Sequence, residues 1–308
     1  MRVLSSPTNV ITITAGSLQI ISAIEAMTVF GLSPDETIVL ASRGALKRIS
    51  QIDQFPNVEL VEIPAERRAQ GSSRIRNYAL LAASLRAAKR ATLSRGVSRF
   101  FFGTNGMLAK AIWNSIPSDS LPVILEDGTA SLRGDRIREL HDKSIRASSK
   151  QLLARVAGLD FRPIPRLAFF TPFDVQVGEC DTIIHNDFRA LRAHGSGTSE
   201  IDSQLLLIVG TPVYSRQSRL DEYEQVLKQV AERFPADRTV YKPHPGEKQL
   251  SPFARDRVVS NSELPLELLV LGWQVLPGTI IGFGSTALHT LSMILPDNVR
   301  VLDFSDLL

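Results

Sequence analysis

Short runs of β-branched and apolar residues alternate with helix-period segments through the first 125 residues, and the alternation starts again near residue 204. Few architectures accept that order. Val10–Thr14, Thr37–Ala41, Val58–Ile63, Arg99–Gly103 and Pro122–Leu125 read as buried strands. Between the first two, Leu18, Ile21, Ile24, Met27 and Phe30 recur at helical spacing, and Gly31 closes that helix. A longer helix is predicted over 73–96, apolar on one side and rich in arginine on the other. After residue 203 come a strand at Gln204–Gly210, a helix over 218–234 and a strand at Thr239–Pro243. Shorter strand signals follow at Val258-Val259, Val275-Leu276, Thr279–Ile281 and Val299–Leu302. Strands that alternate with helices form parallel sheets covered on both faces.

At 308 residues the chain exceeds one ordinary core and suits two units. The segment 148–203 is less regular, broken by Pro163, Pro165 and Pro172, and His194–Ser199 is the best linker in the chain. The expected division is therefore residues 1–198 and 199–308, two α/β units facing each other across a cleft. In open sheets of this kind, ligands sit beyond the carboxyl ends of the strands.

Composition narrows the function classes. With 44% hydrophobic and 22% charged residues the chain is of soluble globular type, and its single cysteine, Cys180, excludes a disulfide framework and fits a reducing compartment. The start, Met1-Arg2-Val3-Leu4-Ser5-Ser6-Pro7, lacks the charged-then-apolar pattern of an export signal, and the longest apolar stretches fall far short of the ~20 residues that span a bilayer. A cytoplasmic location is expected. The net charge of +3 conceals a local excess. Arg67, Arg68, Arg74, Arg76, Arg86, Lys89, Arg90, Arg95 and Arg99 follow one another without an intervening acid. Such a face can rest peripherally on the anionic inner membrane, hold an anionic polymer, or simply be solvated. Aromatic residues do not interleave with it as a stacking platform requires, so nucleic acid is not expected as a partner.

Four local patterns can carry chemistry. Glu126-Asp127-Gly128 directly follows a predicted strand. Two adjacent carboxylates repel, and one can become a better base, although an acidic turn that caps a helix has the same sequence. In Tyr241-Lys242-Pro243-His244-Pro245-Gly246-Glu247, two prolines leave the histidine little backbone freedom, and Lys242 adds a charge suited to phosphate. Gly282-Phe283-Gly284-Ser285-Thr286 closes a strand and opens a helix, where backbone N–H groups and hydroxyls can hold phosphate. It is neither a Walker loop nor a dinucleotide fingerprint. Leu264-Pro265-Leu266-Glu267 places a carboxylate ahead of that loop, as a ribose acceptor or as an acid in a first helical turn. Gly16-Ser17, after the first strand, is a substrate-facing turn or a helix start.

Taken in order, these patterns resemble the bacterial sialyltransferases of the lipooligosaccharide sialyltransferase and capsular polysialyltransferase type. That resemblance implies a GT-B architecture of two Rossmann-like domains, with an acceptor-side domain over 1–198 and a CMP-binding domain over 199–308. It implies inverting transfer of sialic acid, or a related nonulosonic acid, from a CMP-activated donor to a bacterial surface glycan, with no metal or other cofactor. In that scheme Glu126 or Asp127 takes the acceptor proton, with Glu126 preferred and Asp127 orienting it. His244 assists departure of CMP. Ser285 and Thr286 hold the phosphate, Lys242 and Pro243 line the cytidine site, Glu267 binds the ribose, and Pro245 and Gly284 belong to the same donor-binding set. Gly16 and Ser17 stand on the acceptor side. The sequence leaves two other readings: the same fold acting on a UDP-sugar, and a non-catalytic protein that binds an anionic polymer or membrane through its basic helix.

Overall fold

A computed structural model describes residues 8–14, 16–64, 74–93, 95–104, 106–118, 120–125, 154, 156–195, 200–211, 220–244, 246–247, 250–260 and 262–307. The chain forms two compact units, Met1–Arg189 and Ala190–Leu308. Among the described residues no helix is long and apolar enough to cross a membrane.

The first unit is built on seven strands: β1 (Thr8–Ile13), β2 (Thr37–Ser42), β3 (Glu59–Ile63), β4 (Val97–Phe102), β5 (Val123–Leu125), β6 (Ala168–Thr171) and β7 (Thr182–His185). Their order is β3-β2-β1-β4-β5-β6-β7, and every pairing is parallel. Among the described residues, helices α1 (Ser17–Val29), α2 (Arg43–Ile49), α3 (Arg74–Thr92) and α4 (Met107–Trp113) accompany them. Helix α3 is shorter than its pattern suggested. Strands β6 and β7 lie within the segment read as irregular, because each is only four residues long and leaves too little periodicity to detect.

Burial explains why the central strands carry continuous apolar sequence. Every residue of β1 and β2 is buried, and Phe100, Phe101 and Phe102 of β4 are wholly so. Alternate rings face opposite sides of the sheet. Phe100 and Phe102 stack at 5.4 Å, with Trp113 of α4 edge-on to Phe100, while Phe101 meets Phe30 edge-on at 5.1 Å. Helix α1 is buried from Leu18 to Met27, as an apolar helix laid against a sheet must be. At the carboxyl ends, Gly103 lies against Gln19, whose amide oxygen accepts the Thr14 N–H at 3.0 Å. A Cβ on Gly103 would fall 2.5 Å from that oxygen, so the close approach requires glycine.

The second unit opens with α5 (Arg189–Gly195), whose first residue ends the first unit, and continues through β8 (Glu200–Val209), α6 (Leu220–Ala231), β9 (Thr239–Lys242), β10 (Val258–Val259), α7 (Leu266–Leu271), β11 (Val275–Gly282), α8 (Thr286–Ile294) and β12 (Arg300–Asp303). The sheet order is β10-β9-β8-β11-β12, again all parallel. The two strand signals expected at 275–276 and 279–281 are one strand. Pro277 and Gly278 lie inside it at a register shift against β8, which absorbs the amide hydrogen that proline lacks. Gly278 lies so close to β8 that a Cβ there would come within 2.7 Å of the Ser203 Cα. Tyr223 and Leu227 of α6, fully buried, pack with Tyr241, Ile208, Leu206, Ile281 and Phe283 to make this unit's core.

Each unit is therefore a Rossmann-like layer, and in each the strand order reverses beside the first strand. In the second unit that reversal lies between β8 and β11. The chain leaving β8 passes Gly210, and the chain leaving β11 passes Gly282, Phe283 and Gly284.

Candidate functional site

The carboxyl end of β9 delivers Lys242, Pro243 and His244. Register sets their height: Val209 of β8 pairs with Lys242, and the Gly210 N–H donates to the Lys242 carbonyl at 2.8 Å. The chain then turns back on itself. The Glu247 N–H donates to the His244 carbonyl at 2.8 Å, while the His244 N–H donates to Glu247 Oε2 at 3.2 Å. The Gly246 N–H donates to His244 Nδ1 at 2.9 Å. A ring nitrogen that accepts a hydrogen bond carries no proton, so the neutral imidazole holds its proton on Nε2. Partial burial pushes the His244 pKa below the ordinary histidine value, in keeping with that neutral form.

Beneath the turn lies a buried polar chain. Glu247 Oε1 accepts from the Tyr241 hydroxyl at 2.8 Å, which leaves Tyr241 to accept from Tyr223 at 3.1 Å. Both tyrosines are fully buried, and burial drives both phenols far above the ordinary range. Burial also raises the Glu247 pKa, opposed by its hydrogen bonds from Tyr241, His244 and the Ser251 backbone. Gly210 makes room for this network. A Cβ there would meet Glu247 Oε2 at 2.6 Å, the Tyr241 hydroxyl at 2.8 Å and the His244 nitrogen at 3.0 Å.

Beside it, the loop after β11 opens α8. Gly284 adopts φ 67°, a left-handed conformation that favours glycine, and Ser285 caps the helix by accepting the Ala287 N–H at 3.3 Å. The Gly284 N–H is already engaged, donating to Asp303 Oδ1 at 2.8 Å. This corrects the expectation at Gly284, whose amide is not open to a phosphate. No partner among the described residues occupies the Ser285 and Thr286 N–H groups or the Thr286 hydroxyl. Lys242 Nζ donates to the Ser262 carbonyl at 2.5 Å, and burial lowers its pKa. The ammonium thus braces the loop after β10 and retains two further donors.

Glu267 requires a second correction. Expected as a ribose acceptor, it is 4% exposed and hydrogen-bonded to Thr290, because the first turn of α7 packs against α8 and turns the side chain inward. Gly16 takes φ 84° at the start of α1 and Ser17 opens that helix, both half-buried at the carboxyl end of β1. Glu126 and Asp127, which follow β5, and Pro245 lie outside the described residues. The structure thus brings His244, Lys242, Ser285 and Thr286 to one edge of the second sheet and withdraws Glu267 from it.

Sequence reasoning passed over Gly210, Tyr223, Tyr241, Glu247 and Asp303. One signal was present for two of them. Gly210 follows the apolar run of β8 directly, and Glu247 stands three residues beyond His244 in the same rigid turn. The tyrosines and Asp303 come from separate elements, and only the register of the sheet unites them.

No family model matches the chain, and no curated protein matches it in sequence. Solved structures do match in fold. UDP-N-acetylglucosamine 2-epimerase from Rickettsia bellii is 13% identical with a TM-score of 0.52, over 96% of this chain and 78% of that one. A UDP-GlcNAc 2-epimerase from Methanocaldococcus jannaschii, in complex with UDP-GlcNAc and UDP, gives 11% and 0.51 over 93% and 82%. The glycotransferase of kitacinnamycin gives 12% and 0.51 over 93% and 78%. At these identities the likeness is one of fold, a GT-B-like pair of Rossmann-like domains.

Proposed function

We propose that this chain is a GT-B glycosyltransferase that uses a nucleotide-activated sugar, with the nucleotide held at the carboxyl edge of the second sheet. One observation carries the reading. His244, locked with its proton on Nε2, stands at the end of β9, and the open amides of Ser285 and Thr286 stand at the end of β11 beside the strand-order reversal. Breaking a glycosyl–phosphate bond leaves negative charge on the phosphate oxygen. A fixed N–H donor together with backbone dipoles at a helix start stabilises such charge. The acceptor oxygen attacks the anomeric carbon, the bond to the phosphate oxygen breaks, and the electron pair leaves with the nucleotide. The acceptor's proton passes to the acidic pair after β5, with Glu126 as the preferred base.

For the donor we favour a CMP-activated nonulosonic acid. The order of the Glu-Asp-Gly, His-Pro and Ser-Thr motifs supports it. A second donor class is favoured by the solved structures similar in fold, since two of them are named for UDP-N-acetylglucosamine. Thermal unfolding with CMP or UDP, each without divalent metal, separates the two. Stabilisation by CMP, lost in His244→Ala, is expected. Stabilisation by UDP alone would transfer the reading to UDP-sugars. Indifference to both would overturn the enzyme itself.

The exposed cations of α3 are proposed to serve a peripheral role at the inner membrane or with an anionic glycan acceptor. Arg76, Arg86, Lys89 and Arg90 are all exposed on a helix that carries no acid.

A further inference from the structure

We infer that Glu247 is a positioning residue for His244: its carboxylate holds the turn that keeps the imidazole in one tautomer, with Nε2–H as the outward donor. The inference deepens the reading above and rests on it for the role of His244.

The geometry assigns Glu247 two separate ties. It takes the Tyr241 hydroxyl on Oε1 and the His244 backbone N–H on Oε2. Its own N–H returns to the His244 carbonyl, so residues 244 and 247 are bonded in both directions. Gly246 sits between them, and its N–H reaches His244 Nδ1 only while that loop stays closed. The carboxylate is itself immobilised from below through Tyr241 and Tyr223, both anchored in the core of the unit. Gly210 lacks the Cβ that would strike Glu247, Tyr241 and the His244 nitrogen together, so three elements are shaped around this one group.

The chemistry needs an acceptor at that place. A peptide N–H and a phenol O–H both point at residue 247, and a carboxylate satisfies both. Glutamine still satisfies both, because its oxygen can take the peptide N–H while its amide donates to Tyr241, whose hydroxyl then donates to Tyr223. Alanine satisfies neither, and the freed turn no longer pins the Gly246 N–H to the ring.

The test is the 15N NMR signature of the His244 imidazole in the ligand-free full chain, followed by donor turnover. The wild type is expected to show a single neutral tautomer with Nε2 protonated. Glu247→Ala is expected to mix tautomers and lower turnover about 10- to 100-fold, with nucleotide affinity changed less than about threefold. Glu247→Gln is expected to restore both signals. A folded Glu247→Ala that keeps the wild-type tautomer would overturn the assignment. If Glu247→Ala does not fold, Glu247→Gln decides: tautomers mixed in a folded Gln variant would equally overturn it. The tautomer reading needs no substrate, so a protein that turns over no nucleotide sugar fails the functional reading and leaves this result standing by itself.

Discussion

The carboxyl group of Glu267 and the hydroxyl of Thr290 lie 2.5 Å apart in the interior of the second unit, joining the first turn of α7 to the middle of α8. The Thr290 hydroxyl also lies 3.0 Å from the Ala287 carbonyl. One hydroxyl proton cannot serve both acceptors at once. A protonated Glu267 removes the conflict, donating to Thr290 while Thr290 donates to Ala287. Burial raises the Glu267 pKa above its ordinary 4.5, which favours that proton.

The sign of the pH effect follows. Between 4.5 and the raised folded value, the fold keeps a proton that the unfolded chain has released, so stability declines as pH climbs through that window. The contribution is complete below the window. Glu267→Gln keeps the shape and a donor for Thr290, and it should flatten this decline while raising stability near neutral pH by about 1 kcal/mol. Urea unfolding at a series of pH values reads the effect. An unchanged slope in the variant would place the proton elsewhere.

Gly210→Ala should be a damaging substitution at the candidate site of the second unit. The added Cβ would sit 2.6 Å from Glu247 Oε2, 2.8 Å from the Tyr241 hydroxyl and 3.0 Å from the His244 nitrogen, and all three of those atoms are tied into hydrogen bonds. Overpacking of this kind costs roughly 1–3 kcal/mol. Gly284→Ala is a useful contrast. Its Cβ meets only Ser305 at 3.5 Å, and its φ of 67° alone should cost about 1 kcal/mol. Denaturant midpoints of the two variants give the order directly.

His244 should work as a neutral donor. Burial depresses its pKa below 6.5, and the Gly246 N–H on Nδ1 opposes the doubly protonated ring. The neutral form is therefore populated above the depressed value and lost only as pH falls through it. Donor kcat/KM is expected to stay level from about pH 6.5 to about pH 8 and to fall on the acid side. A rate that climbs as pH drops through 6.5 would identify imidazolium as the donor instead. His244→Ala should lower turnover about 10²- to 10³-fold.

Much of the fold was legible because burial of a parallel sheet leaves continuous apolar strands. The runs at Val10, Thr37, Arg99, Gln204 and Thr239 all became strands. Periodicity failed where elements were short, as in β6 and β7, or where Pro277-Gly278 interrupted one strand and mimicked two. The site was legible in its turn residues, since prolines around His244 and small residues before α8 are local devices. Its supports were not. Glu267 was misread because a carboxylate near a helix start looks the same whether it faces a ligand or a threonine on the next helix. Tyr241, Glu247 and Gly210 acquire their meaning only when β8 and β9 are set side by side.

Helix α3 supplies the last prediction. Its buried side, with Tyr78, Leu85, Ala88 and Thr92, packs into the first unit's core or faces it, while Arg76, Arg86, Lys89 and Arg90 stand exposed and Leu93 beyond them is 85% exposed. Arg95 is different, since it pairs with Glu59 at 2.8 Å and belongs to the fold. A cationic face of this kind attracts an anionic lipid surface by about 1 kcal/mol per side chain, and the attraction is screened within a Debye length of about 8 Å at physiological salt. Vesicles containing phosphatidylserine should therefore sediment the protein at low salt and release it at high salt, while neutral vesicles should not bind it. Arg86→Glu with Arg90→Glu should abolish sedimentation without changing the thermal midpoint by more than a few degrees, because neither residue is buried. Binding that resists salt, or that survives both reversals, would mean that the surface recognised lies elsewhere on the protein.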